Sequence, residues 1–127
     1  MARILVIDDD RRLLDIYAEE FGEDHEVVTS NSARDAIGRL PAIRPDLVIL
    51  DIRMPDMNGV DALGRILERD RKVPVILNSS ISHDRRNFMT WAAEDYIVKS
   101  SDLTPLRGAI ERALAGRGAS VRPVVSA

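Results

Sequence analysis

Three consecutive carboxylates, Asp8-Asp9-Asp10, follow the apolar run Ile4-Leu5-Val6-Ile7, and a second apolar run, Leu47-Val48-Ile49-Leu50, ends in Asp51. If the two runs are neighbouring parallel strands, their ends gather several carboxylates at one edge of a sheet. Mutual repulsion there favours a raised pKa or a bound hard cation. Two further runs end in polar groups: Ser79 and Ser80 follow Val75-Ile76-Leu77-Asn78, and Lys99 follows Tyr96-Ile97-Val98. A hard cation such as Mg²⁺ prefers oxygen ligands, retains waters and accepts phosphate as a further ligand. A hydroxyl at Ser79 can donate to a phosphoryl oxygen, and an ammonium at Lys99 can neutralise phosphate charge without bidentate geometry. Such a set stabilises phosphoryl transfer electrostatically. Taken singly, each residue has a plainer role. Asp9 or Asp10 would cap a helix, Asp51 and Ser79 would sit in turns, and Lys99 would be a solvated lysine. Convergence of the strand ends on one edge is what turns them into a site.

The elements that must position these groups are legible in the apolar period, which switches repeatedly between strand-like runs and helical spacing. Strands are expected at 3–8, 26–29, 46–50, 73–78 and 95–98. Helices are expected at 11–21, 32–40, 59–70, 84–91 and 103–115. Leu13, Leu14, Tyr17 and Phe21 stripe the first helix, Gly22 ends it, and Ser32 caps the second. Pro41 and Pro45 bracket a loop, Pro105 lies in the first turn of the last helix, and Gly116 lies just past its end. Short apolar strands alternating with helices imply an α/β, doubly wound, three-layer fold, a five-stranded parallel sheet covered by five helices. In the flavodoxin-like order 2-1-3-4-5, the ligand-binding switch point falls between strands one and three, where Asp8, Asp9 and Asp51 end.

At 127 residues the chain holds one core, and its 45% apolar and 31% charged residues are a globular balance without a case for disorder. Residues 1–116 are expected to form the domain and 117–127 a C-terminal tail or the start of a linker. The net charge of −3 and scattered Lys and Arg give no phosphate-contacting stripe, so direct nucleic-acid binding by this domain is not expected. The absence of cysteine excludes disulfides and thiolate metal sites. No span reaches a membrane helix and no signal peptide is apparent, so a cytoplasmic protein without membrane contact is expected.

The stretch Asp51-Ile52-Arg53-Met54-Pro55-Asp56-Met57-Asn58-Gly59, with Asp8-Asp9, Ser79, Tyr96 and Lys99, resembles the receiver domain of two-component response regulators of the chemotaxis-regulator type. The likeness spans residues 3–114. It implies that Asp51 is the phosphoacceptor, taking a phosphoryl group from a phosphohistidine on a sensor histidine kinase or phosphotransfer protein. By the same resemblance, Asp9 and Asp51 bind Mg²⁺ directly, Asp8 binds it through water, and the backbone carbonyl of Arg53 completes the protein ligands. Lys99 and Ser79 hold the phosphoryl oxygens. Movement of Ser79 is coupled to the rotamer of Tyr96, repacking a face built from helix 84–91, strand 95–98 and helix 103–115 for an output partner. The implied activity is self-catalysed phosphoryl transfer and autodephosphorylation, without turnover of an external substrate.

The chain departs from the family pattern at Lys99-Ser100, where the family commonly has Lys-Pro with a cis bond. A cis bond before a non-proline residue costs about 2.5–4 kcal/mol, so a trans bond is expected. Residues 92–95 lack the family's usual glycine. Arg53 and Ile81 stand where the family tunes the path of attacking water, and an apolar Ile81 is expected to lengthen the phosphorylated state. Phe88 and Trp91, at i and i+3, read as core residues. His25 and His83 lack ligand-like spacing. The alternatives are a phosphorylation-independent receiver-like interaction module and a Mg²⁺-dependent phosphatase or phosphotransferase with Asp51 as nucleophile. The second would need a substrate cap for which the sequence shows no insertion.

Overall fold

The apolar runs form the parallel strands of one sheet: β1 (Arg3–Ile7), β2 (Glu26–Ser30), β3 (Leu47–Leu50), β4 (Val75–Ser79) and β5 (Asp95–Val98), in the order β2-β1-β3-β4-β5. This computed structural model describes residues 1–80 and 93–121. Register is continuous across the site. Ile7 of β1 pairs with Leu50 of β3, Leu50 with Leu77 of β4, and Leu77 with Tyr96 of β5.

Alternate residues of the central strands enter different layers, which is why Ile4 to Ile7 of β1 and Leu47 to Leu50 of β3 are apolar at every position. On one face, Leu5, Ile7, Val48, Leu50, Val75 and Leu77 pack against α2 (Ala33–Gly38), α3 (Leu40–Ile43) and α4 (Gly59–Arg69). On the other, Ile4, Val6, Leu47, Ile49 and Ile76 pack against Leu14, Tyr17 and Phe21 of α1 (Arg11–Phe21) and Leu106, Ala109, Ile110 and Ala113 of α5 (Thr104–Val121). Full burial of each such aliphatic side chain stabilises the fold by about 1.5–3 kcal/mol, so both layers are needed to hold the sheet ends in place.

The doubly wound, three-layer fold agrees with expectation, and strand and helix bounds differ by a residue or two except in two places. The expected loop from Pro41 to Pro45 contains the short helix α3. Proline is compatible with a first helical turn, where its missing N–H has no intrahelical partner, and Arg44 ends the helix at φ 51°. The last helix does not stop at Ala115 but continues through Gly116 to Val121. Among the described residues no glycine adopts positive φ, and an interior glycine costs a helix only about 1 kcal/mol. The expected helix 84–91, with Phe88, Trp91 and the positions Ile81 and His83, lies outside the described residues. Among the described residues no peptide bond is cis, so Lys99-Ser100 is trans as expected, and no helix is long and apolar enough to cross a membrane.

Candidate functional site

The three acidic residues after β1 divide the work. Asp10 is the N-cap of α1, its carboxylate accepting from the Arg12 N–H at 3.0 Å. Asp8 turns inward, 1% exposed, and accepts the Asp10 N–H at 2.9 Å. Asp9 is exposed. The Asp51 N–H donates to the Ile7 carbonyl at 2.9 Å, which holds the end of β3 beside the end of β1 and places the Asp51 carboxylate, 4% exposed, next to Asp8.

Lys99 joins them from the end of β5. Its Nζ lies 2.9 Å from Asp8 Oδ2 and 3.4 Å from Asp51 Oδ2. Burial pulls the ammonium toward neutrality, but the hydrogen bond to Asp8 and the charges of Asp51 and Asp8 outweigh it, so Lys99 is held above its ordinary pKa. Burial and the neighbouring Asp8 charge push the Asp51 carboxyl up to about 6, against the opposing pull of Lys99 and of the Arg53 N–H. One lysine does not balance two buried carboxylates. Asp8, Asp9 and Asp51 each offer an oxygen within 4.8 Å of the others. Hard oxygen donors at this separation, carrying excess negative charge, fit a small divalent cation such as Mg²⁺.

Ser79 closes the end of β4 and is fully buried, and its carbonyl accepts the Lys99 N–H at 2.7 Å. Tyr96, 5% exposed, packs in the layer that also contains Leu77 and Met54. Asp8, Asp9, Asp51 and Lys99 therefore meet as the sequence predicted. Ser79 stands at the adjoining strand end, and Tyr96 lies on β5 in register with Leu77, two residues before Ser79.

The loop between β3 and α4 carries Arg53, whose N–H reaches Asp51 Oδ1 at 3.3 Å and which bridges to Asn58. Gly59 explains the last position of the Asp51 stretch. A Cβ there would lie 2.7 Å from both the Cα and the carbonyl oxygen of Ile52, so only glycine lets α4 begin this close to the loop. Asp56, given no role by the sequence, accepts from the Ser32 hydroxyl at 2.9 Å and from the Arg34 and Ala33 N–H groups at 3.1 and 3.4 Å. Burial raises its pKa, but these hydrogen bonds outweigh that and hold the carboxyl below its ordinary value. Ser32 and Asp56 are 24 residues apart, so only the motif's fixed spacing around Asp56 could have drawn attention to it.

The family described as the response regulator receiver domain matches residues 4–111. This chain belongs to that family. The receiver is 33% identical over 116 residues to a protein-glutamate methylesterase/protein-glutamine glutaminase of Trichodesmium erythraeum, covering 86% of this chain and 33% of that protein. It is 32% identical over 115 residues to the regulatory protein AtoC of Escherichia coli, covering 88% of this chain and 25% of that one. The chain thus spans a third or less of the length of these relatives. Among solved structures, the response regulator TrrA of Thermotoga maritima in complex with Mg²⁺-BeF superimposes with a TM-score of 0.84 at 34% identity, over 90% of this chain and 100% of TrrA. TrrA in complex with the histidine kinase ThkA gives a TM-score of 0.83 at 34% identity, over 90% of this chain and 99% of that one.

Proposed function

We propose that this receiver accepts a phosphoryl group on Asp51 from a phosphohistidine of a sensor histidine kinase or phosphotransfer protein in the cytoplasm. The observation that carries this reading is the buried Asp51 carboxylate 3.4 Å from Lys99 Nζ and within 4.8 Å of the Asp8 and Asp9 oxygens. Mg²⁺ would be held by Asp9 and Asp51, by Asp8 through water, and by the Arg53 carbonyl. When bound, it supplies positive charge that offsets the carboxylates and the phosphoryl oxygens.

In the metal-free site the Asp51 carboxyl is raised to about 6, so at neutral pH it is ionised and can act as nucleophile, and a cation held beside it would favour the ionised form further. One of its oxygens attacks phosphorus, the P–N bond to the donor imidazole breaks, and the electron pair leaves with that nitrogen, giving an acyl phosphate. Lys99 neutralises the transferred oxygens and the Ser79 hydroxyl donates to one of them. Water later cleaves the acyl phosphate, restoring Asp51, so the domain transfers and releases its own phosphoryl group without turning over an external substrate. Movement of Ser79, passed to Tyr96 in the adjoining strand, would repack the surface of β5 and α5 for an output partner. The first 116 residues would suffice for this chemistry. Support comes from the family match and from a Mg²⁺-BeF complex of a 34% identical relative.

Intact mass after incubation with acetyl phosphate is the test. A Mg²⁺-dependent gain of one phosphoryl group, about 80 Da, is expected in wild type and not in Asp51→Ala. No adduct in wild type, together with no beryllofluoride binding, would favour a phosphorylation-independent interaction module.

A further inference from the structure

Asn78 is an anomaly in its layer. It is 2% exposed and shares a sheet face with Ile76, where the other packed side chains of β1, β3 and β4 are aliphatic. An apolar residue would fill this space without taking an amide out of water. Its Nδ2 instead donates to the Tyr17 hydroxyl oxygen at 3.0 Å, a buried contact between β4 and α1 across 61 positions of sequence. Tyr17 is the buried partner. It is 2% exposed, its ring stacks 6.0 Å from Phe21, and the Arg107 guanidinium covers Phe21 at 5.2 Å. Burial raises the phenol's pKa, so it stays neutral at physiological pH.

We propose that the Tyr17–Asn78 hydrogen bond is a positioning device that sets the end of β4, and with it Ser79 and Lys99, against the acidic loop. The site has two halves. Asp8 and Asp9 sit on the loop that enters α1, the helix that carries Tyr17. Ser79 follows Asn78 directly, and its carbonyl binds the Lys99 N–H at 2.7 Å. Asn78 and Ser79 are also in register with Ile97 and Val98 of β5. A tether at Asn78 therefore fixes both phosphoryl-holding side chains relative to the metal-side carboxylates, through a bond that touches neither substrate nor metal. The inference rests on the reading of Asp51 as acceptor. Misplacement of positioning groups by about 1 Å can cost roughly a hundredfold in rate, so a partial loss is expected when one tether of several is cut.

The test compares wild type, Tyr17→Phe, Asn78→Leu and the double variant in the 127-residue chain. Each single variant strands one buried partner and loses stability, whereas replacing both by apolar groups of similar shape is nearly neutral. The urea midpoint of the double variant should return close to wild type and its Mg²⁺ affinity should stay within about twofold, since the carboxylate loop is untouched. Its phosphorylation rate with acetyl phosphate and its beryllofluoride affinity should both remain roughly tenfold lower. If rate and affinity recover together with stability, the hydrogen bond is only part of the core and the inference is overturned. If Mg²⁺ affinity falls in parallel, the whole site has been disturbed and the inference is likewise overturned. If wild type itself takes up no phosphoryl group, the acceptor reading fails and this inference falls with it.

Discussion

Lys99 Nζ stands closer to Asp8, at 2.9 Å, than to Asp51, at 3.4 Å. The lysine is thus shared between a carboxylate of the candidate metal site and the candidate acceptor, and it competes with a cation for the same negative charge. Replacing it by methionine should separate the two roles. Lys99→Met is expected to bind Mg²⁺ more tightly, by about fivefold or more, because a positive charge beside the ligands is removed. The same variant should accept a phosphoryl group from acetyl phosphate roughly a hundredfold more slowly, because the developing phosphoryl charge loses its partner. Calorimetric Mg²⁺ titration and intact-mass kinetics read the two effects; weakening of both would place Lys99 in a purely structural role.

Asp51 gives the apo domain a pH-dependent stability. Its carboxyl is raised from 3.8 to about 6 by burial and by Asp8, so the folded state holds that proton more tightly than the unfolded chain. The destabilisation from an ionised Asp51 is absent below about pH 4, grows up to about pH 6 and is complete above it. Without Mg²⁺, Asp51→Asn should exceed wild type in stability at pH 7.5 by about 1–3 kcal/mol, part of the gain being offset by the contact Lys99 loses. The difference should vanish near pH 4 and shrink on adding Mg²⁺. Urea unfolding at the two pH values decides, and a constant difference would contradict the assignment.

Asp56 should behave in the opposite sense. Its depressed pKa means that its hydrogen bonds to Ser32, Ala33 and Arg34 stabilise the fold above the unfolded pKa, and that this stability is lost as pH falls through the folded value. Asp56→Ala is expected to cost about 1 kcal/mol at pH 7, the usual worth of a helix-capping group, with the deficit closing in acid. An equal deficit at pH 3 and pH 7 would show that the carboxylate charge is not involved.

Gly59 tests the packing of the loop that carries Arg53. Gly59→Ala forces a methyl to 2.7 Å from the Ile52 backbone, an overpacking that should cost about 1–3 kcal/mol. Mg²⁺ binding should weaken as the loop shifts. Unchanged stability and affinity would mean that the loop yields freely.

The sequence carried the parts of this structure that depend on local period. Ile4 to Ile7 and Leu47 to Leu50 are apolar at every position because both faces of a central parallel strand are buried. The residue closing each run therefore had to emerge at one edge, which is how Asp8, Asp51, Ser79 and Lys99 could be named. What escaped were contacts whose partner is distant. Asp56 is a polar loop residue until Ser32, 24 positions away, is seen beside it. Tyr17 fits an apolar helix stripe and Asn78 a strand end, and neither period shows that they meet. The helical turn at Pro41 and the run through Gly116 differ from expectation because proline and glycine disfavour but do not forbid those conformations.

The proposed residence of the phosphoryl group on the Asp51 carboxylate can be read directly by chemical trapping. Borohydride reduces an acyl phosphate to the alcohol but leaves a free carboxylate intact, so reduction after acetyl phosphate and Mg²⁺ treatment marks the acceptor. Peptide mass spectrometry should find homoserine in place of aspartate at position 51 and unmodified aspartate at positions 8 and 9. Homoserine at either of those positions, or a phosphoryl group that resists reduction on a hydroxyl side chain, would show that Asp51 is not the acceptor.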